Sequence, residues 1–131
     1  MELLDRELGF DGRMFLTEQE WSTYRRRNPV RYIHHAKDRT CYVCRKPATD
    51  DNPMQNAHRI SFKLGITRLA LTPEYLDRKD NIVTTHRKIC NKKAELDLPR
   101  SMKLLQDRGI TELPAFLPLQ IHEDWLRTKS S

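Results

Sequence analysis

The sequence predicts an α+β fold: a small core of short strands and helices, flanked by helical segments at both ends. Two observations point there. β-prone pieces at 40–44, 55–62 and 81–85 give way to a helical pattern from about Arg87, and helical signals frame this region on either side. The chain has 131 residues, 37% of them hydrophobic and 32% charged, which suits one domain with a thin core. A thin core often gains stability from a bound metal, and this chain has the thiols for one.

Three regions follow. Residues 1–37 read as a mostly helical extension. Thr17-x-x-Glu20 has the form of a capping box, and Trp21 and Tyr24 lie one turn apart behind it. Asn28-Pro29 reads as a stop, with Pro opening a second short helix whose stripe is Val30, Ile33 and His34. Residues 38–98 form the central region. Thr40–Cys44 is β-prone and ends in a turn, 48–54 is a polar loop, and 55–62 is a strand carrying His58. Thr72-Pro73-Glu74-Tyr75-Leu76 reads as a helical turn and 81–85 as a second strand. A helix from about Arg87 through Ala94-Glu95-Leu96 is stopped by Pro99. Residues 99–131 carry a helix near Ser101–Asp107 ended by Arg108-Gly109, and a final turn around His122–Leu126. Between them Leu113–Leu119 is an apolar strap over the core. Trp21, Tyr24, Tyr42, Phe116 and Trp125 read as core or lid packing, not as a base-stacking platform.

Three cysteines, at 41, 44 and 90, do not make a disulfide framework. A C-x-x-C pair lets two sulfurs reach one tetrahedral ion, and Cys90 is the remaining thiol. His86 lies four residues before Cys90, on the same face if that segment is helical. Cys41, Cys44, His86 and Cys90 would then close a structural Cys3His zinc site, whose ion contributes folding energy. The fourth ligand is His86 or, alternatively, His34, His35 or water. Reduced thiols, a charged start (Met-Glu-Leu-Leu-Asp-Arg-Glu) and the lack of any span-length apolar run predict a soluble, intracellular, cytoplasmic protein with no membrane partner.

The net charge of +6 favours a polyanion such as DNA or RNA. Two basic clusters stand out. Arg87-Lys88 with Lys92-Lys93, and Arg59 nearby, are placed to contact phosphate; Arg25-Arg26-Arg27 with Arg31 reads as a solvated helix face or a secondary DNA contact. Hydrolysing a phosphodiester needs a base for water and a cation near the scissile phosphate. His58, in Asn-Ala-His-Arg-Ile, is the candidate base. Asn81 can hydrogen-bond backbone or imidazole and so orient it. Asn91 follows Cys90 and diverges from it by about 100° on a helix, so its amide oxygen can face a hard cation such as Mg²⁺.

Cys41-x-x-Cys44, His58-Arg-Ile60, Asn81-Ile-Val and Cys90-Asn91, in that order, resemble the HNH endonucleases, the ββα-metal or His-Me finger group, in their zinc-stapled form with an HNN-like motif. The resemblance covers about residues 41–95. It implies a ββα-metal core, His58 as general base, Asn81 and Asn91 as the other motif residues, a structural zinc, and Mg²⁺ or Mn²⁺ near Asn91. DNA is the implied substrate, RNA the alternative, and cleavage leaves 5′-phosphate and 3′-hydroxyl ends. Small forms of this kind occur in phages and mobile elements. The sequence departs from the pattern in three places. Ala57 stands where the family often has an Asp ligand, His86 replaces a Cys one residue further from its partner, and Asn91 replaces the final His. Glu95, one turn beyond Asn91, either supplies the missing oxygen or is a solvated surface residue. A one-site enzyme cutting both strands needs two copies or two visits, which leaves a homodimer or a targeting partner open. The competing reading is a non-catalytic zinc-stabilised module that binds nucleic acid, a feature Ala57 favours. A third is a structural zinc protein whose charge is incidental.

Overall fold

The computed structural model describes residues 2–29 and 40–130. Val30, Arg31, Ile33, His34 and His35, with the second N-terminal helix expected there, lie outside the described residues. Described helices and strands together make a mixed α+β fold with a small two-stranded sheet.

The chain opens with α1 (Glu2–Glu7) and then α2 (Glu18–Arg27). The expected capping box is formed. Thr17 Oγ1 accepts the Glu20 N–H at 3.2 Å and Glu20 Oε1 accepts the Thr17 N–H at 3.1 Å, satisfying two donors that a helix start leaves open. Asn28 caps the other end, as the Asn-Pro pair predicts. Strand β1 (Met54–His58) pairs antiparallel with β2 (Ile82–His86), in a register that sets Met54 opposite His86 and His58 opposite Ile82. Between the strands run α3 (Phe62–Arg68) and α4 (Pro73–Leu76). After β2 comes α5 (Cys90–Ala94), which packs on both strands, then α6 (Leu98–Asp107) and α7 (Leu119–Lys129).

Four elements differ from the sequence expectation. Residues 40–44 form a turn with one bridge, Thr40 to Pro47, rather than a strand. The strand at 55–62 ends at His58. Ser61 then accepts the Leu64 N–H at 3.4 Å and starts a helix that puts Phe62 and Ile66 into the core. Pro99 does not stop a helix; it lies in the first turn of α6, where a missing N–H costs nothing, behind Asp97, which accepts the Arg100 N–H at 2.9 Å. The helix expected from Arg87 is therefore only Cys90–Ala94, because the chain must turn out again to start α6. The final turn near His122–Leu126 is a longer helix, α7.

One hydrophobic cluster draws on both ends and the middle of the chain: Phe10, Ile60, Ile66, Leu71, Leu76, Met102 and Leu105 are fully buried, and Ile121 and Trp125 of α7 close it. Leu113 and Leu117 of the strap pack into it. Phe116 lies at the surface, edge-on to Phe15 at 6.3 Å between ring centroids. No described helix is long and apolar enough to cross a membrane.

Gly9 fastens the N-terminal segment to this core. The Asp11 N–H donates to Ala70 O at 2.8 Å and the Thr72 N–H donates to Gly9 O. Gly9 has φ +94°, and a Cβ there would lie 2.4 Å from Cγ of the buried Tyr75 ring. Left-handed backbone and steric contact both select glycine. Gly9→Ala is expected to destabilise the fold by about 2–4 kcal/mol, from overpacking plus backbone strain. Urea denaturation of the two proteins checks this.

Candidate metal centre and the histidine beyond it

Cys41, Cys44, His86 and Cys90 are gathered by three elements. The first pair sits in a tight turn. The Cys41 N–H donates to Lys46 O at 2.8 Å, the Arg45 N–H donates to Cys41 O at 2.9 Å, and Arg45 takes φ 64° to close the loop. The Tyr42 N–H donates to Thr84 O at 2.9 Å and so ties the turn to β2. His86 is the last residue of β2 and Cys90 the first of α5. The ligand atoms of all four residues lie within 4.8 Å of one another. Sulfurs about 2.3 Å from one tetrahedral ion stand roughly 3.8 Å apart, so the group needs only a small contraction to close on zinc. Among the described residues it is the one group of three or more His, Cys, Asp and Glu donors able to hold an ion. Among the described residues, His86 is the one that completes the set with the three cysteines; His34 and His35 lie outside them.

The surroundings suit a bound cation. His86 Nε2 donates to Pro47 O at 2.8 Å, since a carbonyl only accepts. Its Nδ1 therefore carries the lone pair, and it is Nδ1 that faces Cys44 Sγ at 3.3 Å. Burial opposes ionisation of the Cys41 thiol, but N–H groups of Cys44, His86 and Val43 aimed at it outweigh burial and hold it at about 6. Cys90 is driven the other way, to about 11, by burial and by the two neighbouring sulfurs. Three sulfurs crowd one point, so that ionising one opposes ionisation of the next, and a divalent cation is what would offset that repulsion.

The joint between β2 and α5 is strained. Ile89 has φ 69° and ψ −61°, and the Cys90 N–H donates to Lys88 O at 2.7 Å. That is a γ-turn of the rare positive-φ kind, centred on a β-branched residue. The turn brings Cys90 back beneath His86. Ile89 is 70% exposed, so its side chain gains little in return.

His58 stands at the far end of β1, four residue pairs from Met54 and His86. Its Nε2 lies 2.8 Å from Asp77 Oδ1, and its ring meets Phe62 edge-on at 5.6 Å between centroids. Asn81 makes no hydrogen bond to the imidazole. Fully buried, it uses its amide on backbone: Oδ1 accepts the Ile60 N–H at 2.9 Å, and Nδ2 donates to Leu76 O at 2.8 Å and Ile60 O at 3.3 Å. Of the two partners open to it in the sequence, backbone is the one realised. Asn91, in the first turn of α5, is partly exposed, and its side chain makes no hydrogen bond among the described residues. Glu95 is exposed at the end of α5. The next residue, Leu96, donates its N–H to Arg59 O at 2.9 Å, which brings this end of α5 alongside the residue after His58.

Arg87, Lys88, Lys92 and Lys93 are all exposed on or just before α5. Arg59 is partly buried, its guanidinium 5.6 Å from the Tyr42 ring centroid. Arg25 departs from expectation: it is no solvated side chain but a bidentate partner of Asp77. Asp77 itself is the residue that sequence reasoning missed. It follows α4 in an ordinary Leu-Asp-Arg context, and only tertiary packing gives it a role.

No family model, curated protein or solved structure matches the chain.

Two outcomes test the centre. Zinc should bind at one ion per chain, and stripping it with a chelator should cost on the order of 10 kcal/mol of metal-linked folding free energy; metal analysis beside circular dichroism reads both. Ile89→Gly should retain zinc and raise stability by about 1 kcal/mol, because relief of positive-φ strain exceeds the glycine's added chain entropy. A lower melting temperature in this variant would refute the strain.

Proposed function

We propose that the chain is a metal-dependent endonuclease of the HNH type, hydrolysing phosphodiester bonds in DNA from a ββα-metal core in which His58 is the general base. The observation that carries this reading is the order of elements in space. β1 ends at His58, Asn81 leads into the antiparallel β2, and β2 runs through a zinc-type Cys3His group into α5, which opens Cys90-Asn91. The motif pieces that resemble the HNH family in sequence thus belong to one packed strand–strand–helix unit.

The roles follow from chemistry. His58 takes a proton from water, and the oxygen attacks phosphorus in line with the departing 3′ oxygen, leaving a 5′-phosphate and a 3′-hydroxyl. Asn81 positions the backbone that carries His58. Arg87, Lys88, Lys92 and Lys93 contact the phosphate chain, with Arg59 beside them. Asn91 would hold the divalent cation, Mg²⁺ or Mn²⁺, with Glu95 as the available carboxylate; phosphate and water oxygens complete such sites. That cation, when bound, supplies positive charge at the leaving oxygen. Asn91 fits this role in being partly exposed, with an amide unengaged among the described residues.

One observation favours a second reading, a zinc-stabilised module that binds nucleic acid without cutting it. Ala57 offers no carboxylate, and the described residues hold no second group of three His, Cys, Asp and Glu donors. Plasmid nicking with added Mg²⁺ or Mn²⁺ decides. The wild type should nick, and His58→Ala should lose 100-fold or more of the rate, on the order of a general base's contribution. That variant should keep its zinc and its gel-shift affinity. Retarded but uncut DNA with every divalent ion would select the binding module. No retardation even at low salt would remove nucleic acid as a partner.

A further inference from the structure

The contacts of His58 are more specific than a strand-end histidine requires. Asp77 lies nineteen residues away, just beyond α4, with Oδ1 2.8 Å from His58 Nε2. An ionised carboxylate can only accept, so Nε2 carries the proton and, in the neutral imidazole, Nδ1 carries the lone pair. Both carboxylate oxygens are also held by Arg25 of α2: Nη2 donates to Oδ1 at 2.9 Å and Nη1 to Oδ2 at 3.2 Å. Arg25 is fixed in turn. It lies 3.9 Å over the Phe62 ring and donates to Asn28 O at 3.1 Å. Side chains of His58, Arg25 and Asp77 are 15%, 21% and 24% exposed, so the network is largely withdrawn from water. Burial works against the Asp77 charge, but the hydrogen bonds from His58 and Arg25 overcome it and hold the carboxyl below its ordinary value.

Two other roles for Asp77 fit less well. It is a poor replacement for the carboxylate missing at Ala57, because Arg25 already neutralises it and engages both oxygens. An ion pair serving only to dock α2 would need no imidazole, and Arg25 with Asp77 would suffice.

We infer that Asp77, clamped by Arg25, is a positioning residue that fixes the tautomer and orientation of His58, leaving Nδ1 as the atom offered to a substrate water. The N-terminal helix α2 is thereby part of the catalytic site. The catalytic part of this inference rests on the proposed nuclease reading; the tautomer does not.

Asp77→Asn is the informative change. Arg25 presents donors only, so it claims the single amide oxygen and turns the amide NH2 towards His58. Nε2 must then accept, and the proton moves to Nδ1. Histidine ¹⁵N NMR on the zinc-loaded full chain, at a pH where imidazole is neutral, should show the Nε2–H form in the wild type and the Nδ1–H form in Asp77→Asn. Nicking by Asp77→Asn should fall by about 10³-fold or more in kcat with KM unchanged, as expected of a base in the wrong tautomer. Zinc content should be unchanged, and Asp77→Glu should recover part of the rate. A wild-type Nδ1–H form, an unchanged tautomer in Asp77→Asn, or undiminished kcat would overturn the inference. Should Asp77→Asn not fold, the wild-type spectrum and Arg25→Lys decide, the latter expected to lose about tenfold in kcat while keeping the Nε2–H form. A wild type that shows the expected tautomers but never cuts would sink the nuclease reading and leave the positioning of His58 standing.

Discussion

The buried amide of Asn81 is the constraint from which the His58 end of the structure is built. It is fully buried, and its three hydrogen bonds all go to backbone, two to Ile60 and one to Leu76. Each target has a neighbour that matters. Ile60 is two residues after His58, and Leu76 is followed by Asp77. A single side chain therefore fixes the distance between the segment that carries the imidazole and the segment that carries its carboxylate. Replacing it by an apolar group would leave buried N–H and C=O groups unpaired, at about 1–3 kcal/mol each. The same segment is bound a second time by the Arg59 N–H donating to Asn81 O at 2.8 Å.

The opposite end of the sheet is organised by sulfur and imidazole. The four potential zinc ligands come from a tight turn, the end of β2 and the start of α5. The register places His86 opposite Met54 and His58 opposite Ile82, so the two centres stand about 13 Å apart along the strand at roughly 3.3 Å per residue. α5 begins beside the first centre and leads into Leu96, which pairs with Arg59 next to the second. A metal at the cysteines would thus hold in place the helix on which Asn91 and the exposed lysines ride. Strain at Ile89 sits at the hinge of this arrangement, where the chain must reverse sharply for Cys90 to reach the sulfur pair.

What was legible in the sequence is what local spacing encodes. C-x-x-C with a later His-x-x-x-Cys names a ligand set with no knowledge of the fold, and Thr17-x-x-Glu20 names a helix start, because both interactions close over a few residues. The strand at Ile82 was legible from its β-branched content, whereas the strand carrying His58 has no β-branched residue and its end could not be read from the sequence. Pro99 was misread because proline marks the end of one helix and the first turn of the next equally well; only Asp97 as cap decides between them. The helix at Phe62–Arg68 escaped notice because Ser61 can end a strand as readily as begin a helix, and Gly65 weakens the helical signal. The pairing of Asp77 with Arg25 could not be found at all. Fifty-two residues separate them, and their meeting depends on α2 lying against α3 over Phe62.

That meeting bears on how a cation could be accommodated without a carboxylate at position 57. Ala57 is 3% exposed, so a carboxylate there would be buried and would need a cation or a basic partner to offset its desolvation. The chain instead spends its nearby carboxylate, Asp77, on His58 and neutralises it with Arg25. The region around His58 thus contributes no net negative charge of its own to draw in a divalent ion. In the proposed nuclease, any such ion would be attracted chiefly by Glu95 and by the substrate phosphate. On the proposed nuclease reading, nucleic acid and cation would enter together, with the exposed lysines of α5 drawing the polyanion and the polyanion bringing the ion to Asn91.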